Sequence, residues 1–131
     1  MAAPKFADDI SFYLINTVGL ATATVGFLAS NPINQYAVIE YQGPLNIKVH
    51  GTQPGVALDE GNFQVLARHA AAATALTNIM TVVDALDGLR DVTIQGTVYT
   101  YISMKGRPRI LERLEDGSCL YIAEFFCQSR R

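Results

Sequence analysis

The sequence predicts a single α+β domain over residues 1–131, with two helices packed on one face of a mainly antiparallel β-sheet. Two segments carry apolar residues at the three- and four-residue spacing of an amphipathic helix. Short stretches of alternating apolar and polar residues, bounded by turn residues, predict strands between and after these helices. This order of helix, strands, helix and β-meander is typical of helices covering one face of an antiparallel sheet. A chain of 131 residues has the length of one domain.

The first helix is predicted over Ala7–Val18 and ends at Gly19. Asp8 and Asp9 lie in its first turn, where negative charge interacts favourably with the helix dipole. Its apolar stripe consists of Ile10, Tyr13, Leu14, Ile15 and Val18. Such a stripe predicts that one side of the helix packs against the sheet.

Strands are predicted between the two helices at Tyr36–Tyr41 and Asn62–Arg68, with a short one within Thr24–Ala29. The second of these presents two faces, formed by Phe63, Val65 and Ala67 and by Gln64, Leu66 and Arg68. Leu45–Gly61 is the longest segment without an assigned structure, although its alternating apolar residues allow part of it to pair as an edge strand. Because a connection of this length is usually functional, we expect it to project from the body and contact neighbouring molecules.

The second helix is predicted over Ala70–Leu86, with an apolar face of Leu76, Ile79, Met80, Val83 and Leu86. Strands are predicted after it at Val92–Ile94, Val98–Met104, Arg109–Leu114 and Leu120–Cys127. Gln95-Gly96 predicts a turn, and Asp116-Gly117 is typical of a β-hairpin. The predicted core, where the second helix crosses the sheet, consists of Phe63, Val65, Leu76, Ile79, Val83, Tyr99 and Phe125.

Composition narrows the class of function. Half of the residues are hydrophobic and only 17% are charged, which predicts that partners cover part of the surface. The net charge of −2 argues against a dedicated nucleic-acid-binding protein, which normally carries a basic stripe. No signal peptide is predicted. Polar residues and glycines interrupt the apolar-rich segment Ile10–Ala29, so we expect no membrane span.

The two cysteines predict neither a disulfide nor a zinc site. Cys119 and Cys127 lie within one predicted strand, where their α-carbons would be roughly 26 Å apart. That separation is far beyond disulfide reach, and the spacing matches no common zinc pattern. We expect two buried free thiols in a reducing compartment.

The sequence predicts no catalytic residue, metal site or cofactor. His50 and His69 are the only histidines, and neither has a cysteine or a paired carboxylate at ligand spacing. Asp84 and Asp87 lie near the end of the second predicted helix, where a solvated helix terminus is the ordinary explanation. The glycines around Leu45–Gly61 match no phosphate-binding fingerprint.

One basic cluster, formed by Lys105, Arg107, Arg109 and Arg113, is interleaved with acidic residues. The even spacing of its arginines predicts that they share one face of a strand. A nucleic-acid groove is possible in principle, but ion pairs across a protein interface fit the interleaved charges better. The candidate subunit- or tube-interface residues are Lys48, His50, Asp59, Glu60, Arg107, Arg109, Arg113, Arg130 and Arg131.

Several motifs occur in a fixed order between Val38 and Gln128. They are Pro54-Gly55 with Leu58, Asn62–Arg68 leading directly into an amphipathic helix, the Gly-x-x-Tyr strand Gly96–Tyr99, Pro108, the turn Asp116-Gly117 and the aromatic strand Tyr121–Phe126. In these motifs the chain resembles the tail-terminator and minor-capsid (neck) proteins of long-tailed bacteriophages.

The resemblance implies a small α+β subunit that forms a homo-oligomeric ring, a hexamer in such proteins. That ring caps the tail tube protein, stops its polymerisation and presents a surface to the head–tail neck and connector proteins. DNA passes through the lumen only in transit, and a mildly acidic subunit suits such passage. The implied location is the head–tail junction of a virion, after assembly in the host cytoplasm.

Three alternatives remain open from the sequence. A head-completion or tube protein of the same virion is closest in class. A small enzyme would use Asp84 or Asp87 with His69. A cytoplasmic ligand-binding domain would be a monomer with a closed apolar pocket.

Overall fold

The computed structural model describes residues 6–20, 23–28, 33–48, 57–114 and 117–130, with side chains described throughout except at 41–48 and 57. It confirms the predicted α+β class. The helices are α1 (Phe6–Tyr13), which continues as a π-helical turn (Leu14–Val18), and α2 (Ala72–Leu86). The strands are β1 (Ala23–Val25), β2 (Gln35–Lys48), β3 (Ala57–His69), β4 (Leu89–Ile94), β5 (Thr97–Met104), β6 (Arg109–Arg113) and β7 (Cys119–Arg130).

In the described part of the chain, the strands form one seven-stranded sheet in the order β1-β2-β3-β7-β5-β4, with β6 also paired to β7. β1 runs parallel to β2, and the other pairings are antiparallel. β5 pairs with the second half of β7 and β6 with the first half. Together β5 and β6 therefore act as one interrupted strand along the same side of β7.

Both ends of Leu45–Gly61, the segment that the sequence left without an assigned structure, pair with each other in the β2–β3 hairpin, as its alternating apolar residues allowed. Leu45 lies opposite Glu60, and the pairing continues to Lys48 opposite Ala57. Register shifts between Glu40 and Leu45 interrupt the simple alternation of this strand, which is why the sequence pattern ended too early. Strand pairing therefore holds at both ends of the segment, from Leu45 to Lys48 and from Ala57 to Glu60. The predicted loop at Thr52–Gly55 lies outside the described residues.

Both helices pack on one face of the sheet, hereafter the helical face, and enclose the main core. Phe63, Val65 and Ala67 of β3 are buried there, as their alternation predicted. The stacked rings of Phe63 and Phe125 lie 5.2 Å apart at its centre. The other buried side chains of this core include Phe6, Ile10, Leu14, Val38, Ile79, Val82, Val83, Leu86, Tyr99, Ile102, Ala123 and Cys127. Cys119 and Cys127 are both buried and free, which confirms the prediction for the thiols.

The buried face of α2 differs from the predicted one. Its buried residues are Ala75, Ile79, Val82, Val83 and Leu86. Leu76 and Met80, both predicted to be buried, are 44% and 40% exposed. At 100° per residue, the observed face is rotated by about 50° from the predicted one. The rotation brings the small side chain of Ala75 against the sheet and turns Leu76 and Met80 outward.

A close contact fixes α1 over β3. The Phe6 ring packs directly on Gly61, where an added Cβ would overlap the ring, lying 2.6 Å from Phe6 Cδ2. Phe6 also packs against Tyr99, whose hydroxyl donates a 2.5 Å hydrogen bond to Asp9 Oδ2. Gly61 is therefore the residue of β3 that allows the helix to cross the strand at this distance.

Candidate interaction surfaces

The face of the sheet opposite the helices, hereafter the open face, is the first candidate surface. Neither helix covers it, and its buried side chains form a small separate cluster of Ala37, Leu66, Leu120 and Ile122. Leu28 and Ile39 pack against this cluster. A sheet buries apolar side chains only where other groups lie over them. Since only this small apolar cluster is buried among the described residues of the open face, the rest of that face is available for contact with a larger assembly.

Polar side chains are organised across the strands of the open face in two rows. In one row, Gln64 donates a hydrogen bond to Glu124 (3.4 Å), and Arg109 forms an ion pair with the same Glu124 oxygen (3.5 Å). In the other, Gln128 Nε2 donates to Glu60 Oε1 (2.9 Å) and Gln128 Oε1 accepts from Thr100 (2.9 Å). Each row fixes long side chains by cross-strand contacts.

An aromatic pair lies between the two polar rows. Tyr101 of β5 and Phe126 of β7 have ring centroids 5.6 Å apart. Tyr101 lies opposite Gln128 rather than opposite Cys127 because the register shifts between Tyr99 and Tyr101. This shift is what places an aromatic ring on the open face while Tyr99 stays in the core.

The candidate residues of β3 and β7 separate between the two faces. Glu60 lies on the open face, and Arg130 is exposed at the end of β7 opposite Val98. Asp59 is only 1% exposed, because it lies opposite Ser129 on the helical side of the sheet. Asp59 was therefore wrongly placed among the surface candidates. Lys48 ends β2 opposite Ala57.

The basic cluster does not share one strand face, so that prediction was wrong. Arg109 lies opposite Ile122, whereas Arg113 lies opposite Cys119. These β7 partners are three residues apart, so they point to opposite faces. Arg109 and Arg113 are four residues apart, and the difference arises because a bulge between Ile110 and Glu112 inserts one extra residue. The bulge leaves Arg109 on the open face and turns Arg113 to the helical side. Arg107 is exposed just before β6.

Two remaining candidates, His50 and Arg131, lie outside the described residues.

The outer face of α2 is a surface that the sequence interpretation missed. Its exposed residues are Ala72, Ala73, Thr74, Leu76, Thr77, Met80, Thr81 and Asp84. Thr77 and Thr81 donate their hydroxyl hydrogen bonds back to the carbonyls of Ala73 and Thr77, at 3.1 and 3.0 Å. Since those hydroxyls are engaged within the helix, the face presents mainly carbon atoms. The available signal was the presence of a single charged residue, Asp84, in the whole of Ala72–Leu86.

Two of the three side chains considered for an enzyme, His69 and Asp87, have local structural roles. His69 Nδ1 accepts a hydrogen bond from the backbone N–H of Ala71 (2.9 Å) at the start of α2. Asp87 Oδ1 accepts one from the backbone N–H of Met104 (2.8 Å), which ties the end of α2 to β5. Within the ranges that the structure describes, no three His, Cys, Asp or Glu side chains are grouped as a metal site would require.

Burial raises the pKa of four groups in the core near α1. Desolvation raises the pKa of Asp9, although the hydrogen bond from Tyr99 partly opposes this. Desolvation likewise raises the pKa of Glu40, with the charges of Asp8 and Asp9 adding to the effect. The pKa of Tyr99 and that of the Cys127 thiol are also raised by burial. These shifts arise inside the core rather than at either candidate surface.

No helix in the described residues is long and apolar enough to cross a membrane.

Comparison with known proteins gives a likeness in structure only. No protein-family model matches the chain, and no curated protein sequence matches it. The fold is similar to a chain of a solved structure described as "Virion of native gene transfer agent (GTA) particle", with a TM-score of 0.55 and 15% sequence identity. The match covers 90% of this chain and 84% of that chain. The protein therefore shares its fold, over nearly its whole length, with a chain of that particle.

Proposed function

We propose that this chain is a structural protein of a phage-type virion, acting by assembly rather than by catalysis. The observation that supports this proposal most is the likeness of nearly the whole fold to a chain of a gene transfer agent virion particle. The motif resemblance described for the sequence leads to the same class of protein. We further propose the role of a tail terminator: a homo-oligomeric ring, with hexamer as the first expectation, that caps the tail tube and joins it to the head.

The surfaces of the subunit support a role in assembly. The open face carries an aromatic pair between two rows of cross-linked polar side chains. The outer face of α2 is almost without charge. Surfaces of this kind are common at protein interfaces, where charged residues are depleted and aromatic and Met residues are enriched.

The proposed partners are further copies of the chain, the tail tube protein and the head–tail neck or connector proteins. DNA is proposed only as a passenger in the lumen. A net charge of −2 supports this, because a strongly basic lumen would bind the phosphate backbone and impede transit. The proposed locations are the virion's head–tail junction and, during assembly, the host cytoplasm.

The β2–β3 hairpin is proposed to carry part of the contacts to the tube or to a neighbouring copy. Its outer arms, from Leu45 to Lys48 and from Ala57 to Glu60, are already paired to each other, so they need no folding on binding. Hydrogen exchange should show moderate protection of these amides in the free protein and a further increase on assembly. Equal protection in both states would contradict a contact at the hairpin.

The assembly proposal is tested by electron microscopy and mass measurement of the purified full-length protein. A tail terminator should form closed rings and should stop the growth of tail tubes when added to polymerising tube protein. A matched protein without this function, such as an unrelated acidic domain of equal size, should leave tube length unchanged. A protein that stays monomeric and does not affect tube length would contradict the proposal.

A second candidate is a head-completion or tube protein of the same kind of virion. It is kept because the structural likeness is to a chain of a whole particle and does not distinguish one position in that particle from another. Long tubes formed by the pure protein would favour the tube role. Rings that bind the head connector but leave tube growth unaffected would favour head completion.

A further inference from the structure

We propose that adjacent copies of this chain meet through two different surfaces, the outer face of α2 on one copy and the edge strand β6 on the next. This inference rests on the proposed ring-forming function and specifies its subunit contact. Contacts between unlike surfaces, repeated from copy to copy, are those that generate a ring when the rotation closes.

The α2 surface is apolar along its length and acidic at its end. Leu76 and Met80 are exposed one turn apart, beside the inward-bonded hydroxyls of Thr77 and Thr81. Asp84 follows one turn later and is exposed, and no basic residue lies in the last turn of the helix. Because a helix C-terminus already carries partial negative charge, this end of α2 favours a cationic partner.

The β6 surface has the complementary composition on its helical side, because its acidic residue Glu112 lies opposite Leu120 on the open face. All five residues of β6 are exposed, and its bulge presents Leu111 (50% exposed) next to Ile110 (37% exposed). Arg113 follows on the helical side of the strand. Among the described residues, Arg113 forms no ion pair, whereas Arg109 is paired with Glu124. An apolar side chain with an adjacent cation that pairs with no described residue is thus present at this sheet edge.

The spacing of the two surfaces agrees. Met80 and Asp84 are separated by about 6 Å along α2, and Leu111 and Arg113, two residues apart next to the β6 bulge, by at most about 6.6 Å. Leu111 can therefore pack on the Leu76–Met80 pair while the guanidinium of Arg113 reaches the Asp84 carboxylate. A pair of this kind combines apolar burial with a charge contact that sets the register of the two copies.

The other exposed apolar group of the described residues fits α2 less well. It consists of Phe12, Ile15, Val25 and Phe27, around α1 and β1. The exposed charge on this side of α1 is Asp8, which would repel Asp84 rather than neutralise it. Charge complementarity therefore favours β6 as the occupant of the α2 face.

Cross-linking between separately substituted copies tests the contact directly. Full-length Met80→Cys and Leu111→Cys proteins are assembled alone and as a mixture, then treated with a short bismaleimide; the native Cys119 and Cys127 are buried. The proposal predicts linked dimers in the mixture and little linking in either protein alone. The matched control replaces Leu111→Cys with Phe27→Cys in the mixture and should link poorly.

Charge exchange provides an independent measurement. Arg113→Asp and Asp84→Arg should each weaken self-association by about tenfold, the scale of a close charge pair at an interface. The double variant should regain most of that loss. Arg90→Asp makes the same charge change at an exposed position of β4 and should leave association unchanged. Circular dichroism on every variant shows whether the fold is kept.

The outcomes separate this contact from the proposed function. The α2–β6 contact would be overturned, and the ring function left standing, if the wild-type protein forms rings and the Arg113→Asp variant forms them equally well. The same conclusion would follow if Met80→Cys protein links to itself or to Phe27→Cys protein. A wild-type protein that remains monomeric at every concentration and does not cap tubes would overturn both.

Discussion

The contact between Phe6 and Gly61 gives a sharp test of how α1 is held on the sheet. Replacing Gly61 with Ala adds one methyl group at a position where a Cβ overlaps the Phe6 ring. Elsewhere in a strand the same change is favourable by roughly 0.5–1 kcal/mol, because Ala loses less backbone entropy on folding than Gly. Here the ring or the helix must move, and forced overpacking of this kind costs about 1–3 kcal/mol.

The sign of the effect should depend on Phe6. Phe6→Ala alone should lower the free energy of unfolding by about 3–5 kcal/mol, since a fully buried ring is lost. In that background the added methyl of Gly61→Ala has space, so it should be neutral or slightly stabilising. The double-mutant cycle therefore predicts a coupling of at least about 1 kcal/mol between the two positions.

Urea unfolding followed by far-ultraviolet circular dichroism measures all four proteins of this cycle. The free energy of unfolding should fall on Gly61→Ala in the wild-type background and not in the Phe6→Ala background. If Gly61→Ala is neutral or stabilising with Phe6 present, α1 does not pack on β3 as described.

Three further predictions concern the core. Ile79→Ala should cost about 2–5 kcal/mol in chemical denaturation, while Leu76→Ala, on the exposed side of the same helix, should cost less than about 1 kcal/mol; equal losses would contradict the observed face of α2. Burial raises the pKa of Asp9 above its ordinary value of 3.8, so the folded state binds this proton more tightly than the unfolded state. The contribution of Asp9 to stability therefore falls as the pH rises from about 3.8 through the folded pKa. Asp9→Asn should therefore stabilise the protein at neutral pH relative to wild type, with the gain disappearing below about pH 4; a gain that is constant with pH would contradict the shift. Cys119 and Cys127 should resist thiol reagents in the folded protein, because both are buried and the pKa of Cys127 is raised, and both should react at once in urea; rapid labelling without denaturant would refute their burial.

The fold class could be predicted from the sequence because its signals are local. The alternation in Asn62–Arg68 correctly separated the core residues of β3 from Leu66 on the open face. The turn at Gln95-Gly96 was predicted and is present, with both residues at positive φ. Periodicity and turn chemistry are properties of short segments, so they survive without knowledge of the tertiary structure.

The candidate surfaces could not be predicted as well, because they depend on register. The bulge in β6 places Arg109 and Arg113 on opposite faces, although their even spacing predicts one face. Asp59 and Glu60 are neighbours in sequence, yet only Glu60 reaches the open face. A strand's partner decides where a bulge forms and which face is buried, and that information is not contained in the strand alone.

The orientation of α2 illustrates a third limit. The spacing of apolar residues predicted a buried face that included Leu76 and Met80. In the structure, Ala75 and Val82 are buried instead. Apolar residues surround most of this helix, so its periodicity defines the buried side only loosely. The excess of apolar surface is the feature that now supports the proposed subunit contact.

The most direct test of the central claim is the mass and shape of the full-length protein in solution, measured by sedimentation velocity and negative-stain electron microscopy on the same sample. The proposed function predicts closed rings of uniform size. The proposed α2–β6 contact predicts in addition that these rings become smaller species when Arg113→Asp is introduced and re-form when Asp84→Arg is added to it. A uniform monomer across the concentration range, with no ring on the grid and no effect on growing tail tubes, would contradict it.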